Sequence, residues 1–287
     1  MNLFVRRRKE RAKGQGRGKA TSASGLMWEG TGCDGADCLQ IAAISTSCYL
    51  MLFACGRFVF YPALFPETYS QMAKTPGAQG FFDSSVASTI NSYLGVLAVL
   101  AFMRTPELLS SSDAYLKNQD TCRLVVLFLS WNIFDLCHLL VMQWRHEAQW
   151  AMLVHHVCAV AAWLLYLEGG YGHALSLVGL CCEFTNPCMN MRYFLVEFGL
   201  RDSKWYFYNG LAFVFAWMLV RISFAIPVGS YLIASQWSSL ASLPAWRRYC
   251  FAGFFGVGCM LNLMWGAKLF RGAYKVLTAT KSAPHRD

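Results

Sequence analysis

Charge is what this sequence has least of. Asp, Glu, Lys and Arg make up 14% of its 287 residues, where a soluble domain carries about a quarter. Hydrophobic residues reach 56% and aromatics 15%, so the shortage excludes an ordinary water-soluble domain and suits lipid as the solvent. No internal repeat is present, which counts against a secondary transporter built from inverted halves. Among the twelve cysteines there is no pair of CxxC elements and no Cys/His set at zinc spacing, so no metal is expected.

What charge there is has been placed unevenly. Between Arg6 and Lys19 stand eight basic residues (Arg6, Arg7, Arg8, Lys9, Arg11, Lys13, Arg17 and Lys19) against one acid, Glu10. This stretch supplies most of the formal net charge of +9. Three readings stay open: a solvated cytosolic tail that orients the first helix, a surface for anionic lipids, or an organellar targeting peptide. No nucleic-acid partner is expected. Cys33 and Cys38 flank the entry to the first apolar block and would pair only in an oxidising compartment. Most other cysteines lie in apolar stretches, where Cys acts as a small hydrophobe.

The apolar residues come in blocks of the length a helix needs to cross a bilayer, about 20 residues. Spans are expected near Leu39–Tyr61, Val86–Phe102, Cys122–Gln143, Trp150–Leu167, Gly172–Phe198, Tyr206–Gln236 and Tyr249–Phe270. The fold class is therefore all-α, a polytopic membrane bundle of about seven helices. Residues 1–38 form a basic tail, 39–278 the membrane domain and 279–287 a polar C-terminal tail. Pro187 is expected to break the fifth span and Pro227 to kink or end the sixth, since proline removes a backbone donor. Both tails are basic and so both ask for the cytosol, which requires an even number of crossings, whereas the blocks number seven.

Ionisable groups at membrane depth are costly and face the bundle interior, which makes them the candidate site. The third block holds Asp135 and His138 at i, i+3, and the fourth opens with His155 and His156. The fifth carries Glu183, Asn186, Asn190 and Arg192, the sixth Arg221, and the seventh Asn262 and Lys268. Adjacent histidines point about 100° apart and cannot both chelate one metal in the i, i+4 manner. Arg221, in mid-span, is expected to pair with Glu183 or Asp135. Each of these also has a plainer reading as a packed residue or a helix–helix hydrogen bond.

Two runs carry a resemblance: LVHHVCAVAAWLLYL (Leu153–Leu167) and LCCEFTNPCMNMRYFL (Leu180–Leu195). With Asp135-Leu136 ahead of the histidines and an E-x-T-x-P-x-x-N-x-R-Y-F arrangement from Glu183 to Phe194, the chain resembles the TLC domain family, which includes the ceramide synthases. The closest likeness is to the subgroup of TLC domain-containing protein four. VRISFAIP (Val220–Pro227) and NLMWGAKLFRG (Asn262–Gly272) are similar to that family's last two helices. The resemblance implies a multi-pass protein of lipid homeostasis in the endoplasmic reticulum, with membrane lipids as partners. It implies His155 and His156 as catalytic candidates, and Asp135, His138, Glu183, Asn186, Asn190, Arg192 and Arg221 as residues that bind lipid or line the site. The alternative it implies is acyl transfer of the ceramide-synthase type, with acyl-CoA as cosubstrate and an imidazole taking the amine proton. Ceramide synthases carry two aspartates in an HD-x-x-D-x-x-LE run. Aligned on Glu183, this chain has Leu175-Ser176 and then Gly179 there.

Overall fold

A computed structural model describes residues 33–143 and 150–282. The basic stretch Arg6–Lys19 and most of the polar C-terminal tail lie outside them. The described residues are almost wholly helical. Six helical segments are long and apolar enough to cross a membrane: α1 (Gly35–Leu64), α2 (Ala78–Arg104), α3 (Gln119–Met142), α4 (Trp150–Gly169), α7 (Lys204–Gln236) and α8 (Ala245–Ser282, apolar to Lys275). Between α4 and α7 lie two shorter helices, α5 (His173–Cys181) and α6 (Asn186–Glu197), joined by a tight 3-10 turn at Cys182–Thr185.

Polar residues set the starts of these helices. Asp34 accepts from the backbone N–H groups of Ala36 and Asp37 at the head of α1. Asn118 and Thr121 satisfy each other's N–H groups in a reciprocal cap on α3, and the Ser203 hydroxyl caps α7. Such caps replace the partners that a helix's first turn lacks. Helix α3 sits at the centre, with 61% of its most apolar stretch buried against its neighbours. The others leave apolar faces outward (Leu50, Met51, Val154, Phe215 and Met260 are all exposed). An outward apolar face is what lipid requires.

Neither α5 nor α6 could span a membrane alone, yet together they run from one end of the bundle to the other. At one end the Gly172 N–H donates to the Ala114 carbonyl at 2.9 Å, in the loop between α2 and α3. At the opposite end Tyr193 meets Phe81 with ring centroids 4.8 Å apart, and Phe198 meets Phe65 at 5.0 Å. Pro187 stands at the start of α6, where its missing N–H costs nothing. The expected break is therefore present, and the fifth block makes a seventh, interrupted crossing. Seven passages put the start of α1 and the end of α8 at opposite ends of the bundle.

Two expectations are corrected. Pro227 does not end its span: it stands at the second residue of the α-helical stretch Ile226–Gln236. A wide π turn from Trp217 to Ala225 precedes it and relaxes the backbone that the ring would strike, and the helix continues to Gln236. The disulfide joins Cys33 to Cys122, not to Cys38, with Cα atoms 5.9 Å apart. Cys122 opens α3, and it reaches Cys33 because α1 packs along α3. Cys38 stays a free, buried thiol. The backbone at Gly172 favours glycine: φ is +73°, and a Cβ there would lie 2.9 Å from Phe251.

Candidate functional site

The interior polar residues come from six helices and the 3-10 turn, and meet inside the bundle. On α3, Asp135 is buried; its carboxylate accepts from the Ser84 hydroxyl of α2 at 2.6 Å. The His156 Nε2 of α4 stands 3.0 Å from the other carboxylate oxygen. His156 Nδ1 lies 3.4 Å from Asn132 Oδ1. Asn132 sits one turn before Asp135 and is anchored by donating to the Phe128 carbonyl. The result is a fixed Asp–His pair with an amide behind it.

His155 behaves differently. Its ring stacks edge-on to His156 and Trp265, with centroids 5.2 and 5.7 Å away, and it faces open space on both sides. It lines two adjoining cavities. One is a chamber of about 410 Å³ with Asp135, His156, Asn186 and Arg192 among its walls. The other is a narrow apolar limb of about 130 Å³ walled by Phe128, Trp163, Leu175, Gly179, Phe254 and Gly258. His155, Glu183 and Arg221 line both. A Cβ on Gly258 would meet nothing within 4 Å, which marks the limb as open space.

Arg221 is the corrected case. It does not pair with an acid. Its guanidinium donates to Thr185 Oγ1 at 2.8 Å, Asn262 Oδ1 at 2.9 Å, the Cys182 carbonyl at 3.0 Å and Asn186 Oδ1 at 3.2 Å. It also lies 4.4 Å from the centroid of the Trp217 ring. The Cys182 carbonyl accepts from the Thr185 hydroxyl as well as from Arg221. Asn186 links this group to Glu183, donating to its carboxylate at 2.8 Å. Glu183 and Arg221 therefore communicate through an amide rather than as an ion pair.

Not every candidate faces the chamber. His138 is buried among aromatics, with Phe53 at 5.2 Å and Phe134 at 5.9 Å between centroids, and is absent from the chamber walls. Asn190 donates to Thr89 Oγ1 at 2.9 Å and so fastens α6 to α2. Arg192 lies near the chamber's mouth, its guanidinium 4.1 Å from the Tyr206 ring centroid. Sequence reasoning passed over Ser84, Ser88 and Asn132. Ser84, Ser88 and Asn91 recur at i, i+4 and i+7, a polar stripe in an apolar helix that could have revealed that face.

These features define a multi-pass helical membrane protein with a polar, histidine-bearing chamber at membrane depth. Its sequence matches the TLC domain over residues 82–271, and the chain belongs to that family. It is similar to TLC domain-containing protein 4 A of Dictyostelium discoideum, 23% identical over 244 residues, covering 81% of this chain and 90% of that protein. TLC domain-containing protein 4 of Xenopus tropicalis is 25% identical over 246 residues, covering 78% and 90%. The TLC domain-containing protein 4-B of Danio rerio is 28% identical over 149 residues, about half of each chain. No solved structure matches.

Proposed function

We propose that this protein handles a membrane lipid in the service of lipid homeostasis, with the lipid's chain in the apolar limb and its polar end in the chamber. The observation that carries this reading is the junction itself: His155, Glu183 and Arg221 line both cavities. An amphiphile bridging the two would bring its polar–apolar boundary to the one place where a free imidazole, a carboxyl and a guanidinium converge. Such a constellation can bind and orient, and His155 is open to accept or deliver a proton. His156, held by Asp135, would position its neighbour. The endoplasmic reticulum is the compartment we assign by family likeness.

The second reading is acyl transfer from acyl-CoA to an amine, with the histidine pair as base. The accessible His155 ring favours it. Against the ceramide-synthase form stand Leu175 and Gly179, which line the apolar limb at positions where that run carries a histidine and an aspartate. Ser176, at the place of the other aspartate, is fully buried and donates back to the Gly172 carbonyl. The acidic side of that chemistry is replaced by space for a chain.

The deciding experiment compares the purified full chain with its His155→Ala and His156→Ala variants. Lipid extracted from each is measured by mass spectrometry, alongside acyl-CoA consumption. Co-purifying lipid that falls in His155→Ala, without acyl-CoA turnover, supports binding. Turnover that vanishes with either histidine supports transfer. Normal folding, with neither bound lipid nor turnover in the parent chain, would sink both.

A further inference from the structure

The chamber's mouth has a composition that its interior does not explain. The acids, Asp135 and Glu183, lie deep, against His156 and Asn186 respectively. Towards the C-terminal end of α8 the walls become Met189, Arg192, Phe213, Lys268, Leu269 and Gly272. Two cations therefore stand among apolar side chains. No ion pair to either is found among the described residues. Arg192 is half-buried and is held in place on two sides. Its guanidinium lies over Tyr206 at 4.1 Å and packs so near the α7 backbone that a Cβ at Gly210 would sit 3.2 Å from Nη1. A guanidinium fixed this way at the chamber's mouth, with no acid paired to it among the described residues, has an anion as its natural complement. Lys268, more exposed, adds a second, mobile cation on the facing helix.

We propose that Arg192 and Lys268 form an anion-binding mouth that takes the phosphate group of the molecule held in the chamber. The planar donors of Arg192 suit two phosphate oxygens at once, and Lys268 supplies a point charge that follows the group as it enters. This inference rests on the lipid-handling reading. A phosphate could arrive on a lipid headgroup or on a water-soluble cosubstrate, and the two sources separate experimentally.

The test uses the full chain in neutral detergent, with phosphatidate, diacylglycerol and inorganic pyrophosphate as probes and native mass spectrometry as readout. One phosphatidate should be retained per chain, more tightly than diacylglycerol. Retention should weaken about tenfold in Arg192→Gln/Lys268→Gln and recover partly in Arg192→Lys. Displacement of phosphatidate by pyrophosphate would assign the mouth to a soluble phosphate, and failure to displace it to a headgroup. Lys204→Gln, a cation at the same end of the bundle but absent from the chamber walls, should change nothing. Equal binding by the double variant and the parent chain, equal retention of diacylglycerol, or an equal loss in Lys204→Gln overturns the proposal. Thermal unfolding of each variant shows that the losses are not losses of fold. If the histidine variants lose lipid and the double variant does not, the lipid-handling reading stands and the mouth falls.

Discussion

Replacing Arg221 by Met tests the structure of the polar interior most directly. The substitution keeps an unbranched stem but removes the guanidinium and all four hydrogen bonds, to Thr185, Asn262, Cys182 and Asn186. Interhelical hydrogen bonds in membrane proteins average about 0.6 kcal/mol each, because the unfolded chain in lipid finds other partners. A buried acceptor left without a donor costs more, about 1–3 kcal/mol. The Cys182 carbonyl still accepts from the Thr185 hydroxyl at 2.9 Å, but Asn262 Oδ1 loses the donor that Arg221 supplies. The sum is about 2–5 kcal/mol, or a fall in unfolding temperature on the order of 10 °C. The assay is thermal unfolding in detergent, with Glu183→Gln measured beside it. Because Arg221 bonds neutral groups, Glu183→Gln should cost under about 1 kcal/mol, the amide still accepting from Asn186. If Glu183→Gln destabilised the chain as much as Arg221→Met, the two would be a buried ion pair after all, and a neutral hydrogen-bond network around Arg221 would be refuted.

Three further outcomes are expected. Asp135→Asn and His156→Gln should be non-additive in stability, with a coupling of about 1–2 kcal/mol; additive effects would dissolve the pair. Gly172→Ala should cost about 1–3 kcal/mol in thermal unfolding through its left-handed backbone and the approach to Phe251; an unchanged midpoint would contradict the turn. Cys122→Ser should remove the bond across an 89-residue separation and lower stability by up to about 4–5 kcal/mol, whereas Cys38→Ser should leave the non-reducing gel mobility unchanged.

Much of this architecture is written locally. Block length and polarity mark each span, Pro187 marks the interruption, and Asp135, His155, His156 and Glu183 announce themselves as costly groups in apolar runs. What a linear reading cannot supply is which neighbour each group meets. Charge suggests charge, so an acid is the expected partner of Arg221, but a hydroxyl, a backbone carbonyl and two amides are nearer. His138 shares a helical face with Asp135, yet one turn further along that face is packed with Phe53 and Phe134 and closed to the chamber. Asn190 follows the spacing of Glu183 and Asn186 but turns to Thr89, because the 3-10 turn shifts the register between them. Cys38 loses its partner to Cys122 for a similar reason: the packing of α1 along α3 decides which thiols meet, and distance along the chain does not.

An odd number of crossings gives the two ends of this protein different surroundings, and the Cys33–Cys122 bond acts as a compass for them. A disulfide persists where glutathione does not reach. Alkylation of intact cells, before and after a reductant, therefore reads orientation without any added tag. A protected pair sets the α1 entrance, with the basic stretch ahead of it, on the oxidising side, leaving Arg271 and Lys275 at the far end of α8 to satisfy the positive-inside rule. A pair that alkylates freely reverses the assignment. The same measurement names the water from which the chamber fills, since its mouth opens at the end of the bundle opposite the bond.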